Sequence, residues 1–418
     1  MHRVHDTKGW PVPEQVETVI IGGGQAGLAM SYHLSQLRQE HIVLERGRIA
    51  ERWRSERWDS LAFQFPSRMM RLPGYVYERD APEGFMLRDE VVGFIDEYAR
   101  RIAPPIRCGI RVTGLDSSPT GRLLVQTDSF TLEAANVVLA TGPYQVPSVP
   151  AFSAELPFGT YQVTANRYAN PGQLPPGSVL VVGSGGSGCQ IGQDLLQGGR
   201  GVYLSVGRHR RAPRRYRGQD FGWWQEKTGE LDRTVDSLPP DALRPLLTGV
   251  GGGQDVDLRR LARQGMTLVG RLQDICGGHL FFASDLEENL ARGDEGFDQF
   301  TRSVDEYILK QGLAAPAEPQ QDPPATVRSP PSAAIRDLDI KSAGITSVIW
   351  ATGYRYDFGW VKCPVLDTSG RPVHRRGVTA VAGVYFLGLA RLHKVASSFL
   401  WGVGEDAAYL AQHIATRK

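Results

Sequence analysis

Cysteine is scarce in this 418-residue chain, and its cysteines lie far apart. They are Cys108, Cys189, Cys276 and Cys363. No two of them form a CxxC pair, which argues against a zinc knuckle and against a disulfide reductase that works through two neighbouring thiols. We therefore predict no metal centre. Scattered, unpaired thiols are typical of proteins in a reducing compartment.

Long apolar runs and an excess of one charge are also missing. No stretch reaches the ~18 continuous apolar residues of a membrane helix, and the N-terminal residues lack the basic start and apolar run of a secretory signal. The 47 basic and 45 acidic residues leave a net charge of +2, which is too small to draw the whole protein onto nucleic acid or anionic lipid. We expect a cytoplasmic protein with neither nucleic acid nor a membrane as a partner.

The strongest pattern that is present is a strand, a glycine-rich turn, a helix and a second strand, and it occurs twice. The apolar residues 16–21 lead into GGGQAG, and residues 178–182 lead into GSGGSG. In both copies a helix-like run follows the glycines, and an apolar strand follows that run. Each copy predicts a βαβ unit, so the chain is predicted to be an α/β protein with two dinucleotide-binding, Rossmann-like domains.

In the first copy, the glycines and one acid match the needs of a dinucleotide site. Gly22 permits the tight turn, Gly24 lets the backbone approach a pyrophosphate, and Gly27 lets helix and strand pack closely. The helix that opens behind them offers free N–H groups to phosphates. Glu45, at the end of the next strand, is predicted to accept hydrogen bonds from the adenosine ribose.

The second copy has the same glycine spacing but no acid at the end of its second strand. Its loop residues are Gly183, Gly185, Ser187 and Gly188. Ser205 stands where the acid would be, and Arg208 and Arg210 follow it. An acid would repel a ribose 2′-phosphate, whereas a hydroxyl and a guanidinium would bind it, so this copy favours NADPH over NADH. The alternative for these arginines is a solvated basic loop.

Two further segments echo each other, LATGPYQVPSVP at residues 139–150 and IWATGYRYDFGW at residues 349–360. Together with the two glycine loops and the C-terminal GVYFLGLARLHKVASSFLWGVGEDAAYLAQHI, they make the chain resemble the flavin-containing monooxygenase superfamily over residues 16–414. The stretches RWRSERWDSLAF and VGRHRRAPRRYRGQDFGWW resemble, more closely, its bacterial single-component, class B-type flavoprotein monooxygenases.

This resemblance implies that the first glycine loop binds FAD and the second binds NADPH. It also implies a discontinuous FAD-binding domain, residues 1–148 and 333–418, with an inserted NADPH-binding domain, residues 149–332, that carries loop-rich insertions. The further cofactor contacts that it implies are Trp53, Ser60, Gly142, Gly353 and Gly388. Gln64 and Ser67 are the polar candidates for catalytic groups near the flavin.

The activity implied by the resemblance is an NADPH-dependent monooxygenation. Reduced FAD would capture O₂ as a C4a-hydroperoxide and insert one oxygen into a small-molecule substrate with an amine nitrogen, a sulfide sulfur or an indole carbon. The resemblance also suggests a homodimer. An NADPH oxidase, or a flavin-dependent reductase without oxygen transfer, is the alternative, because residues 158–168 depart from the family's FxGxxxHxxxY fingerprint and have Thr164 in place of the histidine. A dinucleotide sensor without activity is a further alternative.

Overall fold

The computed structural model describes residues 14–78, 81–119, 121–239, 242–317 and 335–417. The strands are β1 (Glu14–Ile21), β2 (His41–Glu45), β3 (Arg71–Leu72), β4 (Tyr75–Val76), β5 (Ile106–Cys108), β6 (Val112–Ser117), β7 (Leu123–Thr127), β8 (Thr131–Leu139), β9 (Val146–Pro147), β10 (Tyr161–Thr164), β11 (Ser178–Val182), β12 (Val202–Ser205), β13 (Arg210–Arg211), β14 (Arg215–Tyr216), β15 (Gln219–Asp220), β16 (Pro245–Leu246), β17 (Thr267–Val269), β18 (Leu272–Cys276), β19 (His279–Phe282), β20 (Asp337–Asp339), β21 (Ile345–Trp350), β22 (Tyr354–Arg355) and β23 (Val384–Phe386). The helices are α1 (Gln25–Gln36), α2 (Glu51–Ser55), α3 (Arg88–Ile102), α4 (Gly186–Gln197), α5 (Phe221–Lys227), α6 (Val250–Gly253), α7 (Leu258–Arg263), α8 (Leu286–Gln311) and α9 (Val403–Thr416).

The first lobe is built on a seven-stranded sheet in the order β5-β2-β1-β8-β7-β6, with β23 also paired to β8. The strands β5, β2, β1, β8 and β23 run parallel, and β6 and β7 form an antiparallel extension. Val19 and Ile20 of β1 and Val137 and Val138 of β8 are fully buried. Central parallel strands are covered on both faces, which explains their continuous apolar runs. The helices α1 and α9 pack against each other beside this sheet.

The second lobe is built on a five-stranded parallel sheet in the order β10-β21-β11-β12-β17. The helix α4 connects β11 to β12, and a small antiparallel sheet of β18, β19 and β20 lies beside it. Both lobes therefore contain a parallel strand, a glycine turn and a helix, as the repeated pattern predicts.

The chain re-enters the first lobe later in the sequence than the predicted domain boundary. The predicted junction at residues 332/333 lies outside the described residues. However, β20 and β21, which were expected in the FAD-binding domain, belong to the second lobe. β21 lies between β10 and β11, where its apolar residues are buried on both sides. The chain crosses back at β22, which pairs antiparallel with β9 of the outgoing crossing, so Tyr354 lies opposite Pro147.

The loop-rich insertion of the second lobe, which contains α5 and α8, packs into the first lobe. Phe221 and Trp224 of α5 and Phe300 of α8 share one apolar core with Met69 and with residues of α1, α3 and α9. The ring of Phe221 stacks on that of Phe300 with their centroids 5.0 Å apart. The insertion, although it interrupts the sequence of the second lobe, therefore contributes to the core of the first, and a large apolar contact joins the lobes.

Candidate functional site

The glycine turn between β1 and α1 leaves no room for side chains at its first and last glycines. A Cβ on Gly22 would lie 2.5 Å from the Ala140 carbonyl oxygen, and a Cβ on Gly27 would lie 1.8 Å from the Gly22 oxygen. Gly22 also has a φ of +119°, which L side chains rarely adopt. In contrast, a Cβ on Gly24 would meet nothing within 4 Å. The space in front of Gly24 is therefore open to a ligand.

The N-terminus of α1 and the end of β2 complete this first turn. No side chain caps α1, and its first turn has no acidic residue, so its N–H groups and dipole favour an anion. The carboxylate of Glu45 accepts hydrogen bonds from the backbone N–H groups of Gly23 at 2.7 Å and of Gly47 at 2.8 Å. These two bonds fix its orientation, and each oxygen keeps a lone pair for a ribose hydroxyl.

The turn between β11 and α4 repeats the geometry of the first. A Cβ on Gly183, whose φ is +106°, would lie 2.6 Å from the Ala351 oxygen, and a Cβ on Gly188 would lie 1.8 Å from the Gly183 oxygen. A Cβ on Gly185 would meet nothing within 4 Å. Ser187 is the second residue of α4, whose N-terminus also has no side-chain cap and no acid in its first turn. The second turn is thus a second anion cradle.

Ser205 has a structural contact in place of the predicted phosphate contact. Its side chain is buried, and its hydroxyl donates to the Gly270 carbonyl at 3.0 Å and accepts from the Leu272 N–H at 2.9 Å. The hydroxyl proton is used to join β12 to the loop after β17. Its assignment to the ribose phosphate is therefore corrected, and the 2′-phosphate interpretation depends on the arginines that follow.

The two predicted arginines of this loop have different surroundings. Arg208 is exposed and follows Gly207, whose N–H donates to Ser184 Oγ at 3.0 Å, so the glycine turn itself fixes the start of the loop. Arg210 is half-buried, and its side chain lies against Gly296 of α8. Burial lowers the pKa of Arg210. Of the two, Arg208 is the one that the loop presents to solvent.

Gly142 and Gly353 follow β8 and β21, where the chain passes between the lobes. Both have positive φ values, +75° and +88°, and a Cβ on either would meet nothing within 4 Å. Beyond them β9 and β22 pair, and the Ser148 N–H donates to the Gly353 carbonyl at 2.9 Å. The two crossings thus form one joint that adjoins both glycine turns.

Trp53 lies at the contact between the lobes and adjoins the start of α1. Its Nε1 donates to Gln25 Oε1 at 3.4 Å, and Gln25 Nε2 donates to the Ser398 carbonyl at 2.8 Å. Because Gln25 is the first residue of α1, these bonds connect the first glycine turn to the C-terminal segment. A Cβ on Gly388 would lie 2.5 Å from the Ala26 Cβ. Trp53 and Gly388 are thus brought together around one helix terminus.

Ser60, which was predicted as a further cofactor contact, lies in a turn that contacts the second lobe. It is exposed in a turn between Asp59 and Leu61. The Asp59 N–H donates to the Ala169 carbonyl at 2.8 Å, and Leu61 is part of the second lobe's apolar core. Arg88 of α3 also bonds to Asp59 and to the Leu61 carbonyl, so the turn of Ser60 lies between α3 and the second lobe.

The two predicted catalytic residues also differ in their surroundings. Gln64 is half-buried, and its carbonyl accepts a hydrogen bond from Arg214 Nη1 at 2.7 Å. Ser67 is buried, and both its N–H and its hydroxyl donate to the Gly84 carbonyl, at 2.8 and 2.9 Å. Ser67 therefore closes a turn, which corrects its predicted catalytic role, and Gln64 remains a candidate.

The sequence interpretation missed a buried ion pair next to Gln64. Arg214 and Asp220 approach to 2.6 Å, and each side chain is only 2% exposed. The Arg214 guanidinium also lies 4.8 Å from the centroid of the Phe85 ring. Arg214 follows Arg208 and Arg210 in the same arginine-rich stretch, and its residue type alone does not reveal its buried partner.

Gly249, in a stretch with four glycines among residues 249–253, packs beside this pair. A Cβ there would lie 2.2 Å from the Phe63 carbonyl oxygen. The insertion thus contacts residues 63–64 both through Arg214 and through the backbone of Gly249. We call this contact, made by Arg214, Asp220 and Gly249, the insertion clamp.

The stretch that departs from the family fingerprint forms the edge of the second sheet. Thr164 ends β10, and its hydroxyl donates to Asn166 Oδ1 at 2.7 Å. The Tyr168 hydroxyl donates to Asp194 Oδ2 at 2.6 Å, and its ring is buried in the second core. Phe158 is fully exposed. Thr164 thus makes a local polar contact where the fingerprint has a histidine.

Several known proteins are similar to this chain. A family model described as pyridine nucleotide-disulphide oxidoreductase matches residues 19–220. An uncharacterized CzcO-like oxidoreductase of Geobacillus kaustophilus is 33% identical over 403 residues, which cover 96% of this chain and 98% of the relative. The indole-3-pyruvate monooxygenase YUCCA1 of Oryza sativa is 31% identical over 198 residues, 45% of this chain and 48% of the relative. A solved flavin-containing monooxygenase of Stenotrophomonas maltophilia has a TM-score of 0.65 at 20% identity and covers 96% of this chain and 98% of that one.

The likeness to the Stenotrophomonas structure confirms the predicted fold class, an α/β protein with two Rossmann-like lobes. The chain belongs to the family of CzcO-like oxidoreductases, because its similarity to the Geobacillus protein extends over almost the full length of both. It is therefore an oxidoreductase, as predicted, and the predicted use of FAD and NADPH agrees with these comparisons.

Two features are absent from the described parts of the chain. No helix there is long and apolar enough to cross a membrane. Nor do those residues contain a cluster of three or more His, Cys, Asp or Glu side chains arranged to hold a metal ion.

Proposed function

We propose that this oxidoreductase is an FAD- and NADPH-dependent monooxygenase that transfers one oxygen atom from O₂ to an amine nitrogen, a sulfide sulfur or an indole carbon. The observation that carries the proposal is the pair of matching glycine turns, each with open space in front of its middle glycine, Gly24 or Gly185. The rice relative, named as an indole-3-pyruvate monooxygenase, supports the same reaction class.

The residues of the first lobe fit FAD. Gly22, Gly24 and Gly27 leave space for a pyrophosphate at the uncapped start of α1, and Glu45 would hold the ribose. The corresponding glycines of the second turn would hold the pyrophosphate of NADPH, with Arg208 at the 2′-phosphate. When bound, FAD accepts a hydride from NADPH and, with O₂, supplies the oxygen atom that the substrate receives.

The chain itself would supply a dry surface beside the cofactors. Trp53 contacts Phe63 with ring centroids 5.8 Å apart, Phe63 contacts Phe65 at 6.0 Å, and Phe65 contacts Phe399 at 5.4 Å. This aromatic run extends from the first glycine turn to the C-terminal segment and would exclude water from the reacting centre. Gln64, between two members of the run, would contribute the polar group there.

The test measures oxygen transfer to the substrate and peroxide release separately, using the purified yellow protein. With NADPH, ¹⁸O₂ and a panel of amines, sulfides and indoles, we expect at least one product that contains one ¹⁸O atom, with little peroxide released. If NADPH oxidation yields stoichiometric peroxide with every compound, the monooxygenase proposal is wrong.

An NADPH oxidase or a flavin reductase is the second candidate, and the place of Thr164 favours it. Threonine has no titratable group, so this position lacks the histidine side chain of the family fingerprint. Its hydroxyl is also engaged with Asn166. Peroxide formation without substrate, or reduction of quinones in the absence of O₂, would support this candidate.

Replacing Arg208 with alanine should weaken NADPH binding selectively. A hydrogen bond to a charged group contributes about 1.5–3 kcal/mol, so the KM for NADPH should rise about 10- to 100-fold while the KM for NADH stays unchanged. Steady-state oxidation of both coenzymes measures this difference. Arg292→Ala is a matched control, since Arg292 pairs with Glu288 on the exposed side of α8. Equal effects on the two coenzymes would rule out a 2′-phosphate contact.

A further inference from the structure

Two arginines from distant parts of the sequence, Arg244 and Arg391, lie near the C-terminal segment. Arg244 lies just before β16, and Arg391 lies in the loop after β23. Within the described residues, no carboxylate forms an ion pair with either guanidinium, and each makes its hydrogen bond to a neutral oxygen. Arg214, in contrast, is neutralised by Asp220. An unpaired cation that is partly removed from water is costly, so two of them together indicate an anionic ligand.

The contacts of the two side chains bring both of them to the segment at residues 242–244. Arg244 Nη2 donates to Ser398 Oγ at 3.4 Å, and its guanidinium lies 5.1 Å from the centroid of the Phe399 ring. Arg391 Nη2 donates to the carbonyl of Ala242, two residues before Arg244. Both side chains belong to half-buried residues. Burial and then the charge of Arg244 lower the pKa of Arg391, which indicates that the two charges repel each other.

The backbone of Arg391 is strained. Its φ of +55° is in the left-handed region, which residues other than glycine, asparagine and aspartate seldom adopt. Such strain persists where the surrounding structure imposes it, and it is concentrated at ligand sites. The strain therefore agrees with a binding role for this side chain.

The surroundings of the pair suit a ligand with an apolar body. Phe399 lies under Arg244 and is one end of the aromatic run that reaches Trp53. Burial raises the pKa of the half-buried Tyr356, and the charge of Arg244 opposes that rise. Ser398, whose hydroxyl contacts Arg244, also accepts through its carbonyl from Gln25 at the start of α1. Arg244 is thus connected through Ser398 to the start of α1.

We propose that Arg244 and Arg391 bind the carboxylate of the substrate, which is a small carboxylic acid with an apolar or aromatic body. This inference rests on the proposed function and adds the substrate class to it. Two guanidinium groups match the charge and planar geometry of a carboxylate. The aromatic run beside them accepts the body of the acid and directs it toward the cofactors. The proposed sites of the two pyrophosphates are at Gly24 and Gly185, so Arg244 and Arg391 are not needed for them and can bind the substrate.

The test uses benzoate as the acid and benzamide as an uncharged compound of the same shape. Isothermal titration of the FAD-containing protein, with NADP⁺ present, measures binding without turnover. We expect benzoate to bind at least about 10-fold more tightly than benzamide. Arg244→Gln and Arg391→Gln should each weaken benzoate binding about 10- to 100-fold and leave benzamide binding unchanged. Arg244→Lys, which keeps the charge, should retain part of the preference, and Arg292→Gln should match the wild type.

Three results would overturn the proposal. The first is equal binding of benzoate and benzamide by the wild-type protein. The second is unchanged benzoate binding in both glutamine variants, with folding checked by thermal melting. The third is a loss of FAD, or a raised dissociation constant for NADP⁺, in these variants, since the pair would then hold a cofactor phosphate. Failure of the proposed function is distinguishable, because the wild-type protein itself would then lack FAD or fail to transfer oxygen.

Discussion

Replacing Gly24 with valine should give a protein that folds but contains almost no flavin. Gly24 has a φ of −89°, which valine adopts, and a Cβ there would meet nothing within 4 Å. The side chain would instead fill the space in which the proposed pyrophosphate lies. FAD content, measured from the absorbance of heat-released flavin, should fall at least about tenfold, which equals about 1.4 kcal/mol of binding free energy.

Two further glycine variants make this test specific. Gly27→Val should not fold, because its Cβ would lie 1.8 Å from the Gly22 oxygen. Gly185→Val should fold and stay yellow but lose NADPH binding, since a Cβ there also meets nothing within 4 Å. The melting temperature of Gly24→Val should match that of FAD-stripped wild-type protein, because bound ligand itself raises stability. A Gly24→Val protein that keeps its colour would contradict the assignment of the first turn to FAD.

The sequence predicts both glycine turns well because their requirements are local. Each glycine is within a few residues of the strand and helix that it joins, so spacing alone reveals which positions must lack a side chain. The position at which the chain re-enters the first lobe does not depend on local sequence in this way. Residues 345–350 form an apolar strand that fits either sheet, and only pairing with β10 and β11, far away in sequence, places it in the second lobe.

The errors at the site have a related origin. Ser205 was predicted because it stands in the place of the missing acid, and Ser67 because it was a polar candidate near the flavin. Their hydroxyls bond instead to backbone carbonyls, and the partner of Ser205 is 65 residues away. Arg214 was grouped with a basic loop, yet its partners are Asp220 and the carbonyl of Gln64, 150 residues earlier. Residue type predicts chemistry, but partners that are distant in sequence decide whether that chemistry is available.

The insertion clamp joins the segment that carries the aromatic run to the second lobe. Arg214 holds the Gln64 carbonyl, and Gly249 packs on the carbonyl of Phe63, so both contacts act on the segment that crosses the aromatic run. Gly222, at the start of α5, donates its N–H to Asp220 at 2.7 Å, so the ion pair also anchors a helix. A change in the pair should therefore affect the whole interface and not one side chain alone.

Replacing Arg214 with methionine should strongly destabilise the protein. The change leaves the Asp220 carboxylate buried without its cation and the Gln64 carbonyl without its donor. Breaking one side of a buried ion pair costs about 3–5 kcal/mol, which corresponds to a fall of roughly 3–6 °C in melting temperature for a chain of this length. Thermal melting at saturating FAD measures this change, because the cofactor then contributes equally to variant and wild type.

The double variant Arg214→Met/Asp220→Leu distinguishes a lost ion pair from lost packing. Removing both charges avoids the uncompensated carboxylate, so the double variant should melt above Arg214→Met alone. Arg217→Met is a surface control, because its partner Asp305 is more than a third exposed and such pairs contribute about 1 kcal/mol or less. If Arg214→Met melts within about 1 °C of the wild type, the pair does not stabilise the joint between the lobes. If the double variant melts below Arg214→Met, the cost comes from shape and contacts rather than from charge.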